Sequence, residues 1–509
     1  MSKNHPRRGR RLGAAAVTAA VGSMVAVLPA SAAGPGTMTG PRTTVDPYLE
    51  PVAAGVTIES LLTVHDLPAR NGYAMVGIPD GLGAVRRDVD GRVIVHMNQE
   101  LGASNGIVRK HGQKGAFVSR YVIDPTTHDV LHGSDLTSVV TYFDRATGTY
   151  TTTPTTGALA LSRLCSSSQG APGQFFNAGT GNGTTEPIYF AGEESGSEGR
   201  AFATLRSGAT RELPRAGRFS FENLVPATNA SDTTVLVGSD DQFDGRVSVY
   251  RGTKTSSGGP LARAGLLNGN VANIKLDGIA TDAAFRAAHD VGDEVPFGLV
   301  GVDWKLTGAQ QKAQADAAGA LRLNRVEDGA FDPANPDDFY FITTDGGEGS
   351  TSGGGGGLWR LRFADIDQPE LGGTLTLLMD GTEAIGANKP DNLTIADGNI
   401  VIQEDPGGDD VLARIYAYRI ADGAVGEIAV FDADRFTPGA PAFMTNDEES
   451  SGIIPADDLL GAGWFLLDAQ VHTSAGLPAG TGPGTVEELV QHGQLLAMQV
   501  TDWSAVYGS

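Results

Sequence analysis

Asp80, Cys165, Glu222, Glu327, Asp391 and Glu449 lie far apart in the chain, yet each occupies the same place in a recurring pattern. The clearest copies are "IPDGLGAVRRDVDGRVIVHMNQELG" from Ile78 and "KPDNLTIADGNIVIQEDPGG" from Lys389. Both run Pro-Asp, a leucine two residues after the Asp, Asp-Gly ahead of an apolar run, and an acidic end. Looser copies begin at Phe221, Val326 and Glu448, and a sixth unit from Leu164 puts the cysteine where the others carry a carboxylate. If these positions converge, five carboxylates a few ångströms apart repel one another by several kcal/mol at intermediate dielectric, so either several hold protons or cations sit among them. Carboxylate oxygens suit a hard cation such as calcium. One thiolate among them suits a more Lewis-acidic transition ion such as iron.

A second set of acids, Glu100, Glu193, Glu194, Asp240, Asp241, Asp345, Glu404 and Asp405, closes the apolar runs. They either extend the cluster or cap turns, and singly each better fits a turn; Glu194 is the exception, because it shares a unit with Cys165. Arg325 stands two residues before Glu327, where it either binds an anion or pairs with Glu327 or Asp328. His472, in "DAQVHT", is expected on an exposed loop. The chain has no H-E-x-x-H helix, no G-x-S-x-G elbow and no G-x-x-x-x-G-K-[ST] loop, and its glycine-rich "GTGNGTT" and "STSGGGGG" lack the lysine and helix of a phosphate cradle.

The elements that must position these residues are short strands joined by Gly/Asp turns. Six β-rich units, none able to bury both of its faces alone, point to an all-β, six-bladed propeller, with a pair of β-sandwiches as the alternative. In a propeller the innermost strand of each blade lines the axis, which carries the six equivalent positions to one place. Small helical insertions are expected in "TDAAFRAAHDVGDE" and "TGAQQKAQADAAGALRL", where alanine and long polar residues dominate, as a cap on one face.

The chain has 509 residues, 60 acidic against 37 basic, for a formal charge of -23, and a single cysteine. This balance argues against nucleic acid or an anionic membrane as partner. The lone thiol excludes an internal disulfide, leaving Cys165 free, buried or a ligand. Residues 1–33 read as a signal peptide: "KNHPRRGRR", an alanine-rich apolar run, and A-x-A-like cleavage sites in "PASAAG", with the paired arginines compatible with twin-arginine export. Residues 34–509 then form one propeller domain, exported and expected to be monomeric, because a closed ring has no free sheet edge.

These residues resemble the PhoX-type secreted alkaline phosphatases, which are six-bladed propellers with an iron and calcium cluster at the axis. "LCSSS" with "GEE" is similar to the family's cysteine and Glu-Glu pair, matching Cys165 and Glu194. "GRFSFE" matches at Glu222, "RVEDG" at Arg325 and Glu327, "KPDN" at Asp391 and "EESSG" at Glu449. "NQE", at Asn98 to Glu100, stands where the family commonly has Asn-His-Glu. The resemblance implies calcium and iron held by Cys165, Glu194, Glu222, Glu327, Asp391 and Glu449, with Arg325 holding the phosphate of a small phosphorylated substrate; the repeat adds Asp80 to this set, and the strand-end acids add Glu100 and Glu193. A calcium-dependent propeller hydrolase of another ester class (phytase-like, phosphodiesterase or lactonase) and a non-catalytic calcium-stabilised binding propeller are the competing readings.

Overall fold

A computed structural model describes residues 36–155, 157–229, 231–346, 355–383, 385 and 388–508. The expected signal peptide lies outside the described residues.

The architecture is a six-bladed β-propeller. Its six innermost strands are Pro79–Arg86, Leu164–Gln169, Phe221–Pro226, Val326–Asp332, Pro390–Ala396 and Glu448–Pro455. Each packs against the next, and the last returns to the first, so the ring is closed. Behind each inner strand the chain meanders outward through antiparallel partners, for example Asn399–Glu404, Arg414–Arg419 and Val425–Phe431 in the fifth blade. The third and fourth blades are joined at their outer edges through Val295–Gly301 and Gly373–Met379.

The sixth blade closes the circle with both ends of the chain. Val56–Thr63 pairs antiparallel with His492–Val500, bringing Ile58 opposite Met498. Opening the ring would therefore strip hydrogen bonds from a central ladder, which fixes the axial geometry.

No blade owns a core. The six largest hydrophobic clusters each straddle one blade–blade interface, as where Phe190 of the second blade meets Phe221 and Tyr250 of the third, or Ile342 of the fourth meets Leu393 and Ile402 of the fifth. Because both faces of a blade are covered by its neighbours, central strands such as Ile188–Glu193 are buried at every position, as expected of strands sandwiched on both sides.

Both predicted helical insertions form. Thr281 caps the helix Asp282–Ala288, and Thr307 with Gln310 makes a capping box on Gly308–Ala317. Their placement differs from a cap over one face. Phe285 is fully buried against Trp359, with ring centroids 5.1 Å apart, so the first helix wedges between the third and fourth blades.

Candidate metal centre

The six sequence-equivalent positions are the second residue of the six inner strands: Asp80, Cys165, Glu222, Glu327, Asp391 and Glu449. A common backbone device precedes them. Ile78, Arg163, Arg325 and Lys389, each two residues ahead, adopt left-handed φ values of 53°, 48°, 54° and 53°. Non-glycine residues held there cost of order 1–3 kcal/mol each and gather at functional sites.

The carbonyl at this position accepts a hydrogen bond from the residue that ends the second strand of the same blade, and it does so in all six blades. The donors are the N–H groups of Glu100, Glu194, Asp241, Thr344, Asp405 and His472, bonded to Ile78, Arg163, Ser220, Arg325, Lys389 and Asp447 respectively. A second set of six side chains thus accompanies the first. Together they carry nine carboxylates and one thiol.

Close packing at the axis depends on glycine at one point. A Cβ on Gly81, next to Asp80, would lie 2.3 Å from the backbone nitrogen of Ser167, so only glycine lets the first two inner strands approach this closely. Asn98 reinforces the junction by donating to the Cys165 carbonyl at 2.6 Å, while the Tyr189 hydroxyl lies 2.9 Å from both Gly81 O and Asn98 Oδ1, which share its one proton.

Two trios bring potential ligand atoms together. Ligand atoms of Asp80, Glu100 and Cys165 all lie within 4.8 Å of one another, as do those of Glu222, Asp241 and Glu327. Among the described residues, Glu222 Oε1 and Glu327 Oε2 are buried without a hydrogen-bond partner, as are both carboxylate oxygens of Asp468. Buried oxygens of this kind are costly to leave unsatisfied.

The electrostatics follow from burial first and like charge second. Burial pushes the carboxyls of Asp80, Glu222, Glu327 and Asp391 well above the usual range, and neighbouring acids push in the same direction. Burial takes Glu100 to about 7 against the opposing pull of Arg163, and it takes Asp405 to about 7 with the charge of Glu449 adding to it. Glu194 reaches about 8 through burial and Glu100. The Cys165 thiol is raised by burial and then by Asp80 and Glu222, so it carries a proton unless a cation stands beside it. This donor set fits cations, mixed oxygen and sulfur on one side and oxygen alone on the other.

Two arginines flank the site. Arg325 grips Asp241 with two hydrogen bonds, of 2.8 and 3.1 Å, and reaches Glu327 at 3.1 Å. Of the ion pairs considered from sequence, Glu327 is present, whereas Asp328 is instead bound by Asn223. Arg163, equivalent to Arg325 by position, pairs with Glu194 and lies 3.0 Å from Glu100.

Several sequence expectations are corrected. Glu193 is not brought to the axis. It is turned into a bidentate pair with Arg200 at 2.5 and 2.6 Å, because neighbouring residues on a strand face opposite sides. Glu404, paired with Arg414 at 2.8 Å, and Asp240, which accepts from Ser220 N and Gln242, stay out of the cluster in keeping with the turn reading, whereas Glu100, Asp241 and Asp405 depart from that reading and join it. In the fourth blade the repeated position belongs to Thr344, which donates to Glu327, and not to Asp345. His472 is half-buried, not an exposed loop residue: its Nε2 is 3.5 Å from Glu449 Oε2 and its Nδ1 is 2.9 Å from Gln491. Burial opposes its charge, but the hydrogen bond and charge of Glu449 outweigh it and push the imidazole up to about 10. Sequence reasoning placed Gln470 near His472 without giving it a role, and its amide donates to Asp80 and Glu100 at 3.4 Å; it missed Asp468, for which the alternation of residues 468, 470 and 472 was the available signal.

A solved structure shows the same fold at low sequence identity. The chain is similar to Pseudomonas fluorescens PhoX in complex with vanadate, with a TM-score of 0.61 at 12% identity over 88% of this chain and 96% of that one. Weaker similarities include a candidate 6-phosphogluconolactonase from Bacteroides uniformis, with a TM-score of 0.33 at 11% identity over 69% and 85% of the two chains. Another is a candidate hydrolase from Bacteroides ovatus, with a TM-score of 0.35 at 9% identity over 91% and 96%. No family model and no curated protein matches the sequence.

Proposed function

We propose that the chain is an exported, metal-dependent phosphatase that hydrolyses phosphate monoesters at an axial calcium and iron cluster. The observation that carries this reading is the crowding of nine carboxylates and a thiol on one propeller axis, with orphaned oxygens on Glu222 and Glu327 and an arginine at their edge. The fold likeness supports it, because the vanadate bound by Pseudomonas fluorescens PhoX is a transition-state analogue.

Cys165, with Asp80 and Glu100, would hold a transition ion such as iron, and Glu222, Asp241 and Glu327 a calcium-like ion, with Asp391, Glu449 and Glu194 as the further ligands that would be offered. Bound cations supply neutralisation of the phosphate oxygens and of the charge that develops on the leaving oxygen. The residues of the chain do the rest. Asp241 and Glu327 hold the Arg325 fork at the edge of the cluster, where the guanidinium would grip a non-bridging phosphate oxygen in the planar geometry it favours. No side chain need serve as nucleophile.

The oxygen-only trio also favours a second reading, a calcium-dependent hydrolase of another ester class that makes no use of the thiol. The test measures p-nitrophenyl phosphate hydrolysis by the purified protein with and without chelator, alongside elemental analysis. Chelator-sensitive turnover with both iron and calcium present supports the proposal. Turnover that survives chelation, or a protein carrying calcium alone at full activity, refutes it.

A further inference from the structure

Outside the axial cluster, a cleft of about 450 Å³ opens between the outer edge of the second blade and the insertion of the third. Three rings line it. Phe143 lies 5.4 Å from Tyr150 and 5.6 Å from Trp304, centroid to centroid, so the rings form one continuous apolar wall. Three cations, Arg145, Arg215 and Lys305, share the lining. The Arg215 guanidinium lies 4.5 Å above the Trp304 ring, and from beside the cleft Arg211 covers Tyr150 at 4.2 Å.

Among the described residues none of these three cations makes an ion pair, although Glu212, Glu198 and Asp303 attract Arg145 at longer range. The carboxylates of Glu198 and Glu212 are taken by Arg218, and Glu212 also accepts from Phe143 N. Arg215 donates only to the Gly269 carbonyl, and Arg145 to the carbonyls of Trp304 and Leu306, leaving Arg145 Nε and Nη2 buried with no partner among the described residues. A chain with a formal charge of -23 repels anions at long range, so unpaired cations gathered at one aromatic wall form a local exception. Guanidinium groups match phosphate oxygens, aromatic walls match a planar ring, and the volume is that of a small-molecule site.

We propose that this cleft binds a nucleotide-class ligand, its planar base against Trp304 and Tyr150 and its phosphate on Arg145, Arg215 and Lys305. None of these residues belongs to an inner strand, so the site is separate from the axial cluster and does not depend on the chemistry proposed there.

The test uses the full exported protein and the non-hydrolysable phosphonate analogue of AMP, followed by calorimetry and tryptophan fluorescence, with adenosine and inorganic phosphate as separate probes. Saturable binding is expected, weakened at least tenfold by Arg215→Gln and by Lys305→Glu but unchanged by Arg325→Ala. Both nucleoside and phosphate alone should bind at least tenfold more weakly. Lys305 is exposed, so its variant reports even if Arg215→Gln fails to fold. Absence of saturable binding, loss of binding in Arg325→Ala alone, or phosphate binding as tightly as the analogue would each overturn the proposal.

Discussion

Removing the cations should make the stability of this protein depend on pH in a direction fixed by the axial acids. Glu222, Asp241 and Glu327 offer oxygens within 4.8 Å of one another. At an effective dielectric of about 20, each ionised pair at that distance repels by about 3.5 kcal/mol, and the trio by about 10 kcal/mol before the Arg325 charge beside Asp241 and Glu327 offsets part of it. That rivals the 5–15 kcal/mol that holds an ordinary fold together. A stripped centre must therefore keep protons. Glu100 and Asp405, raised to about 7, and Glu194, raised to about 8, bind protons that the unfolded chain releases near its ordinary carboxylate range. Their contribution is fully present below about pH 4.5 and is lost as pH rises through 8. The assay is thermal unfolding of chelated and untreated protein at pH 5, 7 and 9. The chelated form should lose at least 10 °C between pH 5 and pH 9, while the untreated form, its carboxylates held by cations, changes little over pH 7 to 9. Identical Tm values for the two forms at pH 9 would refute the reasoning.

Four further outcomes are expected. Cys165→Ser should lose iron while retaining calcium, with turnover down at least tenfold, as read by elemental analysis beside the p-nitrophenyl phosphate assay. Arg325→Lys should raise KM about tenfold with bound metal unchanged, since a lysine cannot reproduce the two-pronged grip; loss of metal would assign Arg325 a structural role instead. Glu193→Gln should cost about 3 kcal/mol in denaturant unfolding by stranding Arg200, yet leave the metal content of the folded fraction intact. In chelated protein the His472–Glu449 pair should stabilise fully below pH 6.5 and fade as pH rises towards 10, because the folded imidazole is the more basic; His472→Ala should remove that part of the profile.

The fold and the first set of site residues were legible because a propeller writes its axis into the sequence once per blade. Asp80 and Asp391 sit in almost superimposable strings, and each is the second residue of an inner strand. The second set was harder to read. Glu193 and Glu194 are adjacent acids of the same kind, and only the end of the strand decides that Glu194 bonds its N–H to Arg163 while Glu193 turns to Arg200. Thr344 and His472 escaped because the repeat there is one of backbone hydrogen bonding, which leaves the side chain free to vary. The pairs Arg163–Glu100 and Arg325–Asp241 cross between blades, and no local pattern announces a partner in another unit.

The central claim is that cations occupy the axis. Anomalous diffraction from crystals of the purified protein, collected across the iron edge, tests it most directly. The account predicts an iron peak within bonding distance of Cys165 Sγ and further density among Glu222, Asp241 and Glu327; an axis showing only water between these side chains, in protein that still hydrolyses phosphate esters, would contradict it.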